Sequence, residues 1–219
     1  MKPKTIVFAT GTKDGGGSGA ENLVEHSHGG DLDADIVAFV SNHPQGGVAK
    51  KAKRLGIPFE YFPGPFDAEH YQSVVAKYDA EWIAASGWLK LIRGLDPART
   101  FNIHPALLSF DNGRFGGSKL YGHHVHEAVK LALDAGEIIQ SGPTMHFATE
   151  EFDRGPIFFE YPVSLTSGMS ADEIADVVNK TEHRWQPRIT NMVIHGKIAW
   201  DGVDPKSLRV PPSYTFLPK

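Results

Sequence analysis

The sequence contains no cysteine, which excludes disulfide bonds, thiolate metal ligands and thiol catalysis. It also lacks a long hydrophobic run. The apolar stretch near its start turns glycine-rich after a few residues, so we expect neither a signal-peptide core nor a membrane-spanning helix. It has no excess of positive charge: the formal net charge is -4, and nothing in the composition calls for nucleic acid or an anionic membrane as a partner. These absences make a cytoplasmic, soluble protein the default expectation.

The composition that remains is that of an ordinary globular domain. The chain has 219 residues, of which 41% are hydrophobic and 22% charged, enough to build one substantial core. It shows no internal repeat and no long linker, but the last stretch is rich in proline. We therefore predict one domain over residues 1–200 and an irregular tail over residues 201–219.

Strand-like and helix-like segments alternate along the first half of the chain. Apolar, β-branched runs at Thr5–Ala9, Asp35–Val40 and Trp82–Ala85 predict strands, and amphipathic patterns at Gly47–Leu55 and Ala68–Lys77 predict helices between them. This alternation predicts an α/β fold, an open, mostly parallel twisted sheet with helices on both faces. Ligands of such sheets bind beyond the carboxyl ends of the strands, so the residues after each strand are the candidates for function.

The second half predicts two further helices and two strands. His123–Asp134 has the pattern of a helix, and Pro143–Ala148 and Ile157–Val163 have the pattern of strands. A long helix is predicted over Ser170–Ile194, because it begins with a Ser-x-x-Glu capping box.

A glycine-rich loop from Gly11 to Leu23 follows the first predicted strand and opens a helix. Free backbone N–H groups at a helix start favour a site for the phosphate of a small ligand. The glycine spacing also matches a dinucleotide fingerprint loosely, but the second strand ends in Ser41-Asn42 and not in the acidic residue that binds a ribose. No Gly-Lys-Ser/Thr follows, which excludes a P-loop. A dinucleotide site and a merely flexible loop stay open as alternatives.

The segment Phe101–Leu108 is the most informative part of the chain. On a strand, Asn102 and His104 would point to the same face and lie at the strand's carboxyl end. An amide donor beside an imidazole suits a carbonyl group that becomes a tetrahedral oxyanion. The alternative is a capped strand end with a structural histidine.

Two further groups of polar residues bear on this site. Asp153 lies in a turn, where an acid is usually solvated, but it would raise the pKa of His104 if the loop folded over Asn102 and His104. His123 and His126 have the spacing of two metal ligands on a helix. No carboxylate or cysteine completes an evident set, so we predict no metal site.

Five motifs, in order along the chain, resemble the folate-dependent glycinamide ribonucleotide formyltransferase family. Asn102–Leu108 is similar to the family's NIHPSLL, Glu151–Ile157 to its ELDGGPI-like loop, Gly87–Ile92 to its GFMRIL, and Thr181–His183 to its QEH. The fifth is Ser41-Asn42 with Gly56-Ile57-Pro58, similar to SN…GIP. The resemblance extends roughly from residue 5 to residue 194 and implies a Rossmann-like formyltransferase fold.

The resemblance also implies an activity and a set of residues. The formyl group of 10-formyltetrahydrofolate, the cosubstrate, would pass to the amine of glycinamide ribonucleotide in de novo purine biosynthesis, without a metal. The implied catalytic residues are Asn102, His104 and Asp153. The implied folate-binding residues are Leu89, Lys90, Leu91, Ile92, Asn102, Ala148, Thr149, Glu150, Glu151, Phe152 and Asp153. The implied acceptor-binding residues are Gly19, Ala20, Glu21, Asn22, Asn179, Lys180, Thr181 and Glu182.

The chain departs from the family pattern in two places. Its glycine loop is longer than the family's GxGSNL and carries a carboxylate at Glu21, which is unfavourable beside a phosphate unless it points away. The segment Ser109–Gly122 replaces a shorter PKYPG-type segment and is a candidate lid over the reacting groups.

Other activities fit the sequence less well. Methionyl-tRNA formyltransferase adds a basic C-terminal domain, and formyltetrahydrofolate hydrolase carries a regulatory domain before its first strand, which here begins at Thr5. A formyltransferase for another small amine, such as a nucleotide-amino sugar, stays open as an alternative, as does an NAD-binding or non-catalytic Rossmann module. We expect a monomer or a homodimer.

Overall fold

A computed structural model describes residues 1–12 and 15–218 of the chain. Lys13 and Asp14 of the glycine loop lie outside the described residues, as does the last residue of the predicted tail. The strands are β1 Lys4–Phe8, β2 Asp35–Ser41, β3 Phe59–Tyr61, β4 Trp82–Ser86, β5 Thr100–His104, β6 Gln140–Ser141, β7 Thr144–Phe147, β8 Ile157–Glu160 and β9 Val163–Ser164. The helices are α1 Ser18–Gly29, α2 Gly47–Leu55, α3 Ala68–Lys77, α4 His123–Asp134 and α5 Ala171–Ile194.

Seven of the strands form one sheet in the order β3-β2-β1-β4-β5-β7-β8. The first five run parallel, and β7 and β8 are antiparallel to their neighbours. This confirms the predicted α/β class with an open, mostly parallel sheet. The strand order reverses at β1, so the carboxyl ends of β1, β4 and β5 open into one crevice beyond the sheet.

Apolar side chains on both sides of the sheet are buried, as a parallel sheet covered by helices requires. On β1, Ile6 and Phe8 pack into the cluster under α3, whereas Val7 belongs to the cluster under α1 and α5. A third cluster joins α4 to α5 through Val129 and Ile174. Helices α4 and α5 are thereby held beside the carboxyl end of β5, where they form one wall of the crevice.

The predicted element bounds hold closely, with one notable difference. The structure divides the single strand predicted over Ile157–Val163 into β8 and β9, because Pro162 has no N–H to continue a strand ladder. The predicted capping box of α5 is present, since the Ser170 hydroxyl accepts from Glu173 N and the Glu173 carboxylate accepts from Ser170 N.

The tail contains little regular structure and packs along the outer edge of the sheet. Glu160 N donates to Phe216 O at 2.8 Å, and the Tyr214 hydroxyl donates to Phe158 O at 2.8 Å. These contacts cover the edge strand β8, whose backbone groups would otherwise be open for pairing. Within the described ranges, no helix combines the length and the apolar character needed to cross a membrane.

Candidate active site

Strand β5 carries Asn102 and His104 to the carboxyl end of the sheet, and both side chains reach Asp153. The Asn102 amide donates to Asp153 Oδ1 at 3.4 Å, and His104 Nδ1 lies 3.6 Å from Asp153 Oδ2. The three residues are separated by up to 51 positions in the chain. The loop after β7 therefore folds back over the tip of β5 and brings a carboxylate, an amide and an imidazole together.

The loop that carries Asp153 is held in place by backbone geometry. Asp153 has a φ of 55°, in the left-handed region that few residues other than glycine, Asn and Asp adopt readily. Its Oδ2 also accepts a hydrogen bond from Gly117 N at 2.9 Å. The carboxylate is thus oriented by its own backbone conformation and by the segment that follows β5.

The His104 ring is almost completely buried and has defined partners on both nitrogens. Nε2 donates to Phe115 O at 2.7 Å, because a carbonyl oxygen only accepts, so Nδ1 is the nitrogen that faces Asp153. Burial, with a smaller contribution from the His146 charge, lowers the pKa of His104 below its usual range, and the Asp153 charge and the Phe115 carbonyl offset only part of this effect. Asp153 and Phe115 are therefore the groups that favour a protonated ring in this buried position.

Asp153 stays ionised despite its burial. Burial by itself raises the pKa of this carboxyl, but a hydrogen bond from His146, the charges of His104 and His146, and the Gly117 N–H together lower it well below the usual range. A permanent negative charge at this position is what a neighbouring imidazolium needs for stabilisation.

A cavity of about 550 Å³ opens beside the three residues. It extends from the glycine loop at Gly16–Gly19 past Asn102 and His104 to the facing sides of α4 and α5. A space of this size, lined by both apolar and polar groups, is typical of a small-molecule site. The arrangement can hold a substrate between a helix start and the Asn102–His104–Asp153 group.

A model of the formyl transferase family matches residues 4–190 of the chain. The chain belongs to the formyl transferase family. It is 34% identical to the chloroplastic phosphoribosylglycinamide formyltransferase of Arabidopsis thaliana, over 92% of this chain and 70% of that protein. It is 27% identical to phosphoribosylglycinamide formyltransferase of Bacillus subtilis, over 87% of this chain and 94% of that protein.

A solved structure gives the same fold. Glycinamide ribonucleotide transformylase 1 from Symbiobacterium toebii superposes with a TM-score of 0.79 over 95% of this chain and 94% of that one. The two sequences share 21% identity, so this likeness concerns the fold alone. A solved protein therefore has the same topology as this formyl transferase. Which substrate the protein binds depends on the residues around the cavity.

The glycine loop of this formyl transferase brings only part of the expected acceptor-binding set to the cavity. Gly19 lines it, whereas the Asn22 amide donates to His183 O at 2.8 Å and is buried against α5. Glu21 forms an ion pair with Arg54 and lies 3.7 Å from Lys51 on α2. The carboxylate that looked unfavourable beside a phosphate is therefore neutralised on the far side of the helix, and Ala20 is buried in the core.

Among the residues that the structure describes, no side chain caps the start of α1. Its N-cap is Gly17, with a φ of 76° and no side-chain hydrogen bond to the helix start. Gly16, Gly17 and Ser18 line the cavity next to it. Because the first N–H groups of a helix have no partner within the helix, this position suits a phosphate group better than the Glu21-Asn22 pair does.

Replacing Gly19 with alanine is expected to lower the free energy of unfolding by about 1–3 kcal/mol, the usual effect of overpacking. An added Cβ would overlap the Ser86 hydroxyl and lie 3.1 Å from Gln186 Oε1. Chemical denaturation measures the change. Gly29→Ala, at the other end of α1, is the matched control, because a Cβ there meets nothing within 4 Å. Equal stability of the Gly19 and Gly29 variants would contradict this packing.

Most of the expected folate-binding residues surround a second, smaller cavity on the other side of Asn102. This cavity measures about 50 Å³. The predicted residues that line it are Lys90, Leu91, Ile92, Asn102, Ala148, Thr149, Glu151, Phe152 and Asp153. Of the remaining two, Leu89 lines the large cavity and Glu150 lines a separate hollow near Gly202.

Helix α5 presents one face, on successive turns, to the large cavity. Asn179 and Glu182 line it, three positions apart on one helix face, whereas Lys180 and Thr181 do not. The Thr181 hydroxyl instead donates to Val177 O at 2.9 Å. Helical periodicity therefore selects two of the four residues that the sequence motif proposes.

His146 is a site residue that the sequence analysis did not single out. It pairs directly with Asn102 across the β5–β7 ladder, and its Nε2 lies 3.2 Å from the Asn102 amide and 3.4 Å from Asp153 Oδ1. The available signal was a histidine on a strand just before the Asp153 loop. Only the antiparallel register places it opposite Asn102.

The segment after β5 contacts the reacting groups through its backbone. Phe115 O and Gly117 N bind His104 and Asp153, and Ser118, Leu120 and Tyr121 line the cavity. Its role as a lid stays a prediction.

Among the residues that the structure describes, no group of three or more histidines and acids is arranged to hold a metal ion.

Proposed function

We propose that this formyl transferase moves the formyl group of 10-formyltetrahydrofolate to the amine of glycinamide ribonucleotide. The observation that carries the proposal is the convergence of Asn102, His104 and Asp153 beside a cavity that ends at the start of α1, which no described side chain caps. The Asn102–His104–Asp153 group and the start of α1 lie at two ends of the large cavity. A substrate with an amine at one end and a phosphate at the other requires this arrangement. The named relatives are phosphoribosylglycinamide formyltransferases.

The chemistry follows from the groups at the tip of β5. The amine nitrogen of the acceptor attacks the formyl carbon, and the carbonyl oxygen becomes an oxyanion. The Asn102 amide and the Nδ1–H of a protonated His104 stabilise this oxyanion, because Nε2–H already donates to Phe115 O, and Asp153 balances the charge of the ring. The tetrahedral intermediate then collapses, the bond to the folate nitrogen breaks, and the proton lost by the amine is returned to the tetrahydrofolate that leaves.

The formyl donor would bind at the small cavity beside Asn102. Residues 90–92, 148, 149 and 151–153 line this space, and the apolar side chains of Ile92 and Trp88 form part of its wall. This cavity shares Trp88, Asn102, Phe152 and Asp153 with the large cavity. A donor bound here would therefore meet the acceptor beside the catalytic residues.

The direct test is a formyl-transfer assay with a panel of acceptors. Glycinamide ribonucleotide, a nucleotide-amino sugar and glycinamide without the ribose phosphate are compared, and a reaction without acceptor measures hydrolysis of the donor. We expect formylation of glycinamide ribonucleotide to be preferred. Preference for the amino sugar would replace the proposed acceptor, and formate release without any acceptor would indicate a hydrolase.

Glu182 is expected to make acceptor use depend on pH. Burial raises the pKa of Glu182 to about 7, so this carboxyl is protonated below that pH and ionised above it. The ionised form attracts an ammonium or amine hydrogen, and we expect the KM for the acceptor to fall as the pH rises through about 7. Glu182→Gln should remove this pH dependence and raise the acceptor KM about tenfold or more, which is the usual contribution of a hydrogen bond to a charged group.

Steady-state kinetics across pH measures this effect. Glu69→Gln, an exposed acid on α3 away from the cavity, serves as the control. An unchanged pH profile in the Glu182 variant would show that this carboxyl does not meet the acceptor.

The cytoplasmic location and the choice between monomer and homodimer stay predictions from the sequence.

A further inference from the structure

Besides His104, the large cavity is lined by His123 and His126, neither of which takes part in the mechanism above. His126 lies in the first turn of α4, is only 8% exposed and is a lining residue of the cavity. Its ring centroid is 6.4 Å from that of His123. It is therefore a buried imidazole placed where a bound acceptor would be.

The two nitrogens of the His126 ring have different surroundings. Nδ1 is fully buried and has no hydrogen-bond partner among the described residues. Because the ring lines the cavity, Nε2 is the nitrogen that can meet a ligand. A buried N–H without an acceptor is rarer in proteins than a buried lone pair without a donor, so the neutral ring carries its hydrogen on Nε2.

The surroundings also keep this ring uncharged. Burial and the neighbouring rings of His123 and His104 lower the pKa of His126 to about 4, and Asp172 opposes them only weakly. At neutral pH the cavity wall therefore contains an N–H donor without a positive charge. Such a donor suits an uncharged oxygen, because the phosphate of the acceptor would bind at the start of α1.

We propose that His126 Nε2–H binds an uncharged oxygen of the acceptor substrate and so contributes to acceptor specificity. This inference rests on the proposed function, because it assumes that the acceptor occupies the large cavity. His126 is a binding residue in this account and does not touch the formyl carbon.

Two substitutions separate the hydrogen bond from the space that the ring fills. His126→Phe keeps a ring but removes the donor, and we expect the acceptor KM to increase roughly fivefold to tenfold with kcat within about twofold of wild type. His126→Gln keeps an amide donor near the Nε2 position and should recover most of the affinity. The KM for the formyl donor should not change in either variant. His124→Phe, an exposed ring two positions away that pairs with Glu127, is the matched control.

Several results would overturn the proposal. An unchanged acceptor KM in a folded His126→Phe variant would refute the proposed hydrogen bond. A lower kcat with an unchanged KM would place the ring at the reacting atoms instead. Weaker inhibition by inorganic phosphate in the Phe variant would show that the bound oxygen is the charged one. Nitrogen-15 NMR of the unliganded protein at neutral pH gives a readout that does not depend on activity: we expect the Nε2–H tautomer, and an Nδ1–H or charged ring would refute the donor.

The same experiments distinguish this inference from the proposed function. Wild-type protein that does not formylate glycinamide ribonucleotide would refute the proposed function, while the NMR measurement still decides whether His126 is an Nε2–H donor. Active wild-type protein with an unaffected Phe variant would refute only the role of His126.

Discussion

The His104→Ala variant is expected to lose about 10²–10³ in kcat while it still folds, the typical effect of removing one group that stabilises an oxyanion. The ring is 4% exposed and lies between Phe115 O and the Asp153 carboxylate, so it is held in one orientation before substrate binds. Such a preoriented donor requires no rearrangement during the reaction. The acceptor KM should change little, because the interaction is stronger in the transition state than in the bound substrate.

Steady-state kinetics and thermal unfolding measured together test this prediction. His28→Ala, an exposed histidine in the last turn of α1, is the control for a lost imidazole outside the site. Alanine in place of a buried ring leaves a void, so a lower melting temperature is expected and is compatible with the role. A folded His104→Ala variant with kcat near that of wild type would refute it.

Asp153→Asn is expected to cause a loss of similar size, about 10²–10³ in kcat, because it removes the charge that stabilises the protonated ring. In the wild-type protein the carboxylate lies 3.6 Å from His104 Nδ1 and 3.4 Å from His146 Nε2. The charge of Asp153 acts to raise the pKa of His104 against the effect of burial. Without that charge the pKa of His104 falls further, so less of the ring is protonated at neutral pH.

The Asp153→Asn substitution should also move the pH profile of the activity to lower pH. If the reaction uses the protonated His104 ring, the activity that survives in Asp153→Asn is confined to lower pH than in wild type. Asparagine adopts the left-handed backbone readily, so the loop conformation at this position should survive. Asp79→Asn is a matched control, because Asp79 has a φ of 48° and an ion pair with Lys4 but lies outside the site. A profile that does not move to lower pH would show that Asp153 acts in some other way.

The elements of the fold were predictable because their signals are local. The period of the apolar residues and the caps set helices α2, α3 and α4 at the predicted bounds, and the capping box at Ser170 marked the start of α5. The alternation of strands and helices was sufficient to predict the parallel sheet. The rule that ligands bind beyond the carboxyl ends of parallel strands then directed attention to Asn102 and His104. The involvement of Asp153 came from a resemblance, since a lone acid in a turn has no local signal.

The glycine loop shows where local reasoning stopped. Glu21 and Asn22 follow the glycines directly, and the resemblance placed both at the acceptor. In the structure Glu21 turns toward Arg54 and Lys51, and Asn22 turns toward the α5 backbone. Which face of α1 meets the cavity depends on how α1 packs against α2 and α5, and that packing joins residues more than 30 and more than 160 positions apart.

The sequence by itself determined the secondary structure, the parallel sheet and the pair of polar side chains at the tip of β5, because these depend on residue type and spacing over short distances. Only the tertiary structure decided that His146 lies opposite Asn102, that Phe115 O occupies His104 Nε2, and that His126 faces the cavity. Those contacts depend on the register of antiparallel strands and on the packing of α4 against α5. Both are set by the total burial of apolar surface across the whole chain, which no local pattern encodes.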